Sequence, residues 1–322
     1  MGSFTQLDSA AIESILATFG RTDYRSHTPI AAGTINTNVR VDCGGETLFL
    51  RINEGKSRDE VQREAAIVEF LAARGVLTPM PLQARDGNRF AAFGASYASV
   101  FPWVPGQVLT RSEVGAVQAA AVGRALGELH VKGTAFTDHR AGRYEPDEIE
   151  RRCAAVAARQ DPRLTEAVAI LSTELGRLRS DRHPELPLGL IHGDLFIDNV
   201  LFQPSGEVAA LIDFEQASWG RLAYDVAVTL LAFTFGREDF RAELVRAFLD
   251  AYRKVRTPTA EESWSFGAEL RFASCRFAVT RITDVFLRRE PGAPGGKDYR
   301  RYLTRLAQVK SHLQANDGLL SL

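Results

Sequence analysis

The residues most capable of chemistry are His192-Gly193-Asp194 and Asn199, a dense polar cluster flanked by the apolar runs Leu190-Ile191 and Val200-Leu201-Phe202. A second cluster, Leu211-Ile212-Asp213-Phe214-Glu215, follows shortly after. Between them, Gln203-Pro204-Ser205-Gly206-Glu207 supplies turn chemistry linking two strand-like runs, 200–202 and 208–212. A loop leading into a hairpin is the expectation. One carboxylate to orient a hydroxyl and accept its proton, with an asparagine and a second aspartate as hard oxygen ligands for magnesium on a nucleotide, is what phosphoryl transfer requires. Taken singly, Asp and Asn in loops are ordinary turn-formers. A His192/Asp194/Asp198 metal centre is the alternative, but hydrolytic zinc calls for more His or Cys ligands. His192 is expected to orient its loop by hydrogen bonding.

In kinases the catalytic base and a metal-binding asparagine share one loop, and a second metal-binding aspartate begins the next segment. His192-x-Asp194-x4-Asn199 followed by Asp213-Phe214 fits that layout. The stretch resembles the aminoglycoside-phosphotransferase and type II homoserine-kinase branch of the protein-kinase-like fold, whose loop reads H-G-D-x4-N. The resemblance implies an α+β, bilobal fold with a small N-terminal lobe of antiparallel sheet plus helix (1–102) and a larger, mostly helical catalytic lobe (103–322). It implies ATP and Mg2+ as cofactors, Asp194 as base, and Asn199 and Asp213 as metal ligands.

The elements that would position this chemistry can be read upstream. Asp8 can cap a helix whose Ile12, Ile15, Leu16 and Phe19 share a face. Residues 30–41 read as strand, small-residue loop, strand, and Gly44-Gly45 turns the chain into a strand over 47–52. The loop's wording, Gly33-x-x-Asn36-Thr37-Asn38, is similar to that of type II homoserine kinases; Gly33, Thr34 and Asn36 would then cover phosphates through close backbone approach. A single glycine between strands is equally an ordinary turn.

Ser57-Arg58-Asp59-Glu60 is a capping box opening a helix with Val61, Ala65, Val68 and Leu71 as its stripe. Glu64 borders that stripe, and burying a carboxylate there calls for a cationic partner. Arg51, on the preceding strand, stands where kinases carry a phosphate-contacting lysine, and is the expected partner. An arginine fork is not equivalent to lysine; Lys56, in a loop, is the second candidate. Pro102-Trp103-Val104-Pro105-Gly106 matches the family's connector between lobes, where the Pro102 carbonyl and Val104 N–H would meet adenine. Trp103 either packs at the purine or is a structural, buried tryptophan.

Residues 112–131 read as a helix ending near the structural histidine His130, and 140–187 as one or two helices broken at Asp161-Pro162 and His183-Pro184. Gly220 to Phe235 opens a helix in which Asp225 resembles a family aspartate bracing the catalytic loop. Residues 238–315 read as helical, and 292–297 as a loop lacking the P-loop pattern. Gly267–Phe272 and Thr280–Asp284 resemble pieces of the helix bordering the acceptor pocket in type II homoserine kinases; Arg271 or Arg281 would hold a substrate carboxylate there, unless both are surface arginines.

Net charge of −1, with 45% apolar and 25% charged residues, describes an ordinary globular chain with no footprint for nucleic acid or an anionic membrane. Cys43, Cys153 and Cys275 are far apart and form neither a CxxC pair nor a disulfide framework, which points to a reducing cytoplasm. The N-terminus lacks signal-peptide and myristoylation patterns. The sequence-level expectation is thus an ATP- and Mg2+-dependent kinase acting on a small-molecule hydroxyl, homoserine first. Aminoglycoside, choline or sugar acceptors are the alternatives within the fold, and an inactive kinase-like binding domain is the alternative from another class. Oligomeric state stays open.

Overall fold

The structure, a computed structural model, describes residues 5–30, 36–288 and 297–322. Gly33 and Thr34, and the 292–297 stretch up to Gly296, lie outside the described residues. The chain divides into two units: residues 1–107 with 209–215, and residues 108–208 with 216–322. The first unit therefore runs to Gln107, and it takes in a short later stretch that contains Asp213.

The first unit opens with α1 (Ser9–Thr18), whose N-cap Asp8 accepts from the Ala11 N–H at 2.8 Å. Strands β1 (Tyr24–Ile30), β2 (Thr37–Cys43), β3 (Glu46–Asn53), β4 (Ala91–Phe93) and β5 (Ser96–Pro102) form an antiparallel sheet in the order β1-β2-β3-β5-β4. The two-residue side-chain period decides its faces. Leu48, Leu50 and Ile52 of β3 join Val39, Val41, Val100 and α1 in one core. Arg51 and Asn53, the intervening residues, point to the other face, where Arg51 meets α2 (Arg58–Ala72) and Asn53 is fixed by Ser99 Oγ and the Tyr97 carbonyl. The expected capping box at Ser57 and Glu60 opens α2.

The second unit is built of helices α3 (Ala116–Gly133), α4 (Pro146–Ala157), α5 (Thr165–Asp181), α6 (Leu222–Phe233), α7 (Ala242–Val255), α8 (Ala260–Asp284) and α9 (Arg300–Ala315). Strands β6 (Leu188–Ile191), β7 (Val200–Phe202) and β9 (Ser218–Arg221) interleave with the helices in chain order, with β6 pairing antiparallel to β9, whereas β8 (Val208–Leu211) belongs from Ala209 onward to the first unit's 209–215 stretch. Helix α3 begins at Ala116, later than residue 112, because Glu113 folds back to accept from both the Thr110 N–H and its hydroxyl at 2.7 Å, closing a separate turn. At Gly123 a Cβ would lie 2.2 Å from the Phe248 carbonyl, so α3 and α7 pack backbone to backbone. The long helix α8 is tied to its neighbours through fully buried carboxylates. Glu269 takes Arg182 and Arg221, and Glu262 takes Arg256.

Candidate active site

In the second unit the chemistry-bearing loop leaves β6 at His192. The His192 and Gly193 N–H groups donate to the two oxygens of Asp225, each at 2.8 Å. Gly193 has φ +74°, and a Cβ there would sit 2.8 Å from the Gln216 carbonyl, so glycine is required on both counts. Asp225 is wholly buried on α6 and also accepts from His130 Nε2 at 3.1 Å. The Tyr252 hydroxyl donates to His130 Nδ1 at 2.8 Å and accepts from Arg256 at 3.1 Å. Burial pushes the His130 imidazole below its usual range. Burial alone would raise the Asp225 carboxyl, but the His130 hydrogen bond and the His192 N–H are among the interactions that outweigh it and hold it low.

Beyond this brace the Asp194 carbonyl accepts from Phe196 N–H at 2.9 Å and from Asn199 Nδ2 at 2.8 Å. With its amide nitrogen so engaged, Asn199 has its Oδ1 left to bind elsewhere. The Asp194 carboxylate is gripped on one oxygen, Oδ1, by Arg276 Nη1 at 3.2 Å. Arg276 is buried on α8, its guanidinium carbon 4.2 Å from the Tyr144 ring centre and 3.7 Å from that of Phe277.

Arg276 was not among the residues singled out in the sequence. Arg271, Arg276 and Arg281 are five residues apart on one helix, so each is rotated by roughly 140° from the last, and it is Arg276 whose side chain contacts the Asp194 carboxylate. Arg271 is turned to Glu174 Oε1 at 2.5 Å and Asp181 Oδ2 at 2.8 Å, a structural pairing that consumes its fork. Arg281 donates to the Asp298 carbonyl at 3.0 Å and lies over the Tyr302 ring.

In the first unit Arg51 Nη1 donates to Glu64 Oε1 at 3.0 Å, and Lys56 Nζ reaches Glu64 Oε2 at 2.9 Å and Glu215 Oε2 at 3.0 Å. Both candidates for the missing lysine thus converge on the same carboxylate. Burial would raise Glu64, but Lys56 and Arg51 hold its carboxyl below the usual range. Asp213 behaves oppositely: burial pushes it up, Glu215 and Glu64 add to this, and Arg51 only partly opposes. Its Oδ1 is buried, 3.6 Å from Arg51, and has no hydrogen-bond partner. Asp213 also holds φ +68°, a left-handed conformation that costs a non-glycine residue about 1–3 kcal/mol and concentrates at functional sites.

Asn36 is buried, and its Oδ1 accepts from the Glu54 N–H at 3.3 Å. Pro102 ends β5 opposite Leu48, and the next N–H, that of Trp103, bonds the Thr47 carbonyl at 3.0 Å. Trp103 is 37% exposed with Arg40 stacked over it, which rules out the buried structural tryptophan. Hard divalent cations take carboxylate and amide oxygens; in the first unit Asp213 offers a buried carboxylate oxygen without a hydrogen bond, and in the second Asn199 offers an amide oxygen.

A family model, the phosphotransferase enzyme family, matches residues 26–264. A homoserine kinase of Rhodopseudomonas palustris (strain HaA2) is 31% identical over 308 residues, covering 95% of this chain and 94% of that protein. Among solved structures, amicoumacin kinase hAmiN in complex with AMP-PNP, Ca2+ and Ami superposes with a TM-score of 0.70 at 16% identity, covering 97% and 95% of the two chains. Spectinomycin phosphotransferase in complex with ADP and spectinomycin does so at 0.70 and 14%, covering 96% and 100%. At such identities these structures speak for the fold alone, and the fold is α+β and protein-kinase-like.

Proposed function

We propose that this chain, which belongs to the phosphotransferase enzyme family, is a kinase that uses ATP and Mg2+ to phosphorylate the side-chain hydroxyl of homoserine. The observation that carries this reading is the Asp194 loop: a carboxylate anchored on one oxygen by Arg276, within a chain alike over nearly its whole length to a homoserine kinase.

Asp194 Oδ1 is engaged by Arg276, which leaves Oδ2 to receive the proton of the acceptor hydroxyl as its oxygen attacks the terminal phosphorus and the bond to ADP breaks. The double anchorage of His192 and Gly193 on Asp225 fixes where that carboxylate stands. Asn199 and Asp213 are assigned as the metal ligands. A bound Mg2+ would neutralise charge on the nucleotide phosphates. Arg51, held by Glu64, is assigned to the phosphates together with Gly33, Thr34 and Asn36, and the Pro102 carbonyl and Val104 N–H to the adenine. Arg271 is left out of the assignment, because Glu174 and Asp181 occupy it. The inactive-domain alternative rested on arginine standing in for lysine, and Lys56 beside Arg51 removes much of its force.

The test is ADP release with Mg2+ and ATP across homoserine, other hydroxy-amino acids, choline, sugars and aminoglycosides. The expected result is a kcat/KM for homoserine at least tenfold above any other acceptor, with the phosphoryl group on the hydroxyl oxygen by 31P NMR. Preference for an aminoglycoside or choline would overturn the acceptor assignment, and no turnover with any acceptor would overturn the kinase assignment.

A further inference from the structure

The second unit holds a group of cations that phosphoryl transfer does not by itself explain. Arg111, Arg281 and Arg305 come from three separate segments, and among the described residues none is ion-paired to a carboxylate. Their partners are carbonyl oxygens instead. Arg111 Nη1 donates to Phe235 at 2.7 Å, Arg281 Nη1 to Asp298 at 3.0 Å, and Arg305 Nε to Leu231 at 3.1 Å, with Arg305 Nη1 on Arg301 at 2.9 Å. Two of the three flank one ring: the guanidinium carbons of Arg281 and Arg305 lie 4.4 and 4.7 Å from the centre of Tyr302. Arg305 also lies 4.6 Å from Phe235, the residue whose carbonyl holds Arg111.

Tyr302 is 1% exposed, and its buried hydroxyl has no hydrogen-bond partner. Buried tyrosine hydroxyls are normally satisfied, and buried cations are normally paired. Here an unspent O–H donor sits on a ring flanked by two guanidinium groups, a third is held on the neighbouring Phe235 carbonyl, and among the described residues no carboxylate is paired with any of them. Burial disfavours the charged form of each. Burial pushes Arg305 down to about 10 and Arg111 and Arg281 below their usual range; Arg111 and Arg281 repel Arg305, Arg111 repels Arg281, and Arg301 adds to each. The charge of Asp194 is felt at Arg281 and at Tyr302. A wall of aromatic rings runs between them: Tyr302 stacks on Phe277 at 5.0 Å, and Phe277 meets Phe196, two residues after Asp194, edge to face at 4.9 Å.

We propose that Arg111, Arg281, Arg305 and the Tyr302 hydroxyl form the subsite that receives the carboxylate of the acceptor, so that its hydroxyl is presented to Asp194. The proposal rests on Asp194 being the base and sharpens that reading, since it makes an anionic group a requirement of the acceptor. A carboxylate offers about four lone-pair positions, enough to accept from guanidinium forks and one phenolic O–H together. Choline or an aminoglycoside would instead bring positive charge to uncompensated arginines, so the same cluster acts against them.

The test measures KM and kcat for L-homoserine and for L-homoserine amide, which keeps the hydroxyl and loses the negative charge, in the wild type, Arg281→Gln and Tyr302→Phe. Arg281→Gln should raise KM for homoserine about 10–100-fold, the worth of one charge-assisted hydrogen bond, with KM for ATP within about twofold. The wild-type preference for acid over amide should shrink by the same factor. Tyr302→Phe, which keeps the shape and covers the case that Arg281→Gln fails to fold, should raise KM for homoserine about 3–10-fold. Unchanged acid-over-amide preference in both variants would overturn the proposal. Calorimetric titration with acetate separates its failure from that of the functional reading. Acetate binding by the wild type that Arg281→Gln abolishes supports the subsite even if homoserine proves not to be the acceptor, whereas acetate binding that survives Arg281→Gln overturns it.

Discussion

Asp213→Asn should make the free protein more stable while removing its response to Mg-ATP. In the first unit two cations, Arg51 and Lys56, face three carboxylates, Glu64, Asp213 and Glu215. Asp213 is the member whose carboxyl is pushed up, first by burial and then by Glu215 and Glu64. A carboxylate with a raised folded-state pKa costs stability: the penalty is absent below the unfolded value of ~3.9, grows as pH rises through the folded value, and is complete above it. Asparagine removes the charge, balances the remaining four groups, and adopts the left-handed backbone readily. Because the Asp213 side chain is 32% exposed and gives up a 3.6 Å attraction to Arg51, the gain at pH 7 should be about 1 kcal/mol and not the several expected of a fully buried lone charge. Urea denaturation at pH 7 would measure it, and the curves of wild type and variant should converge as pH is lowered toward 4. Wild type should gain about 2.7 kcal/mol in Mg-ATP at a hundred times its Kd, and the variant almost nothing. A variant less stable than wild type at pH 7, or equally stabilised by Mg-ATP, would refute the reasoning.

Three further outcomes are expected. Arg51→Ala and Lys56→Ala should each cost about 1–3 kcal/mol, since Glu64 keeps one partner. The double variant should exceed their sum by about 1 kcal/mol or more, because it leaves a buried carboxylate with none, and simple additivity in a denaturation cycle would rule this out. Asp194→Asn should lower kcat by about 10²–10⁴-fold with KM for ATP within about twofold; near-normal turnover in a coupled ADP assay would remove Asp194 from the mechanism. His130 is buried neutral, so the stability it supports is present above its unfolded pKa of ~6.5 and is lost as pH falls below that value toward the folded one. His312, where Asp317 and Asp239 outweigh burial, titrates in the opposite sense. On a His312→Asn background the unfolding free energy should therefore fall with decreasing pH by up to about 1.4 kcal/mol per unit, and a flat profile between pH 7 and 5.5 would contradict it.

What could be read in the sequence was whatever is encoded locally. Asp8 before an apolar helical stripe and the Ser57/Glu60 pair are satisfied within one turn, so their caps stand where the spacing put them. The polarity of Glu64 at the margin of a buried face announced a cationic partner, but nothing in the linear order said that Arg51 and Lys56 would share it. Arg276 went unseen because three equally spaced arginines on α8 look alike until the rotation of the helix is fixed. That rotation is set by packing against α5, α6 and α9 and by buried ion pairs with distant segments, Glu269 with Arg182 and Arg271 with Glu174. The same blindness hid Arg305 and Tyr302, the one bonded to carbonyl oxygens and to no carboxylate among the described residues, the other without a hydrogen-bond partner for its hydroxyl, properties that only three dimensions reveal.

The assignment of residues 209–215 to the first unit bears on how the chain is made. On a ribosome, Gln107 emerges long before Glu215, and the intervening hundred or so residues take roughly 5–20 s to synthesise. During that interval Arg51 and Lys56 have Glu64 but neither Asp213 nor Glu215, so the nascent first unit carries two cations against one carboxylate. A fragment cut at residue 107 would be frozen in that state. Expressing the first unit with its full set of charges would therefore call for residues 209–215 to be grafted on through a linker.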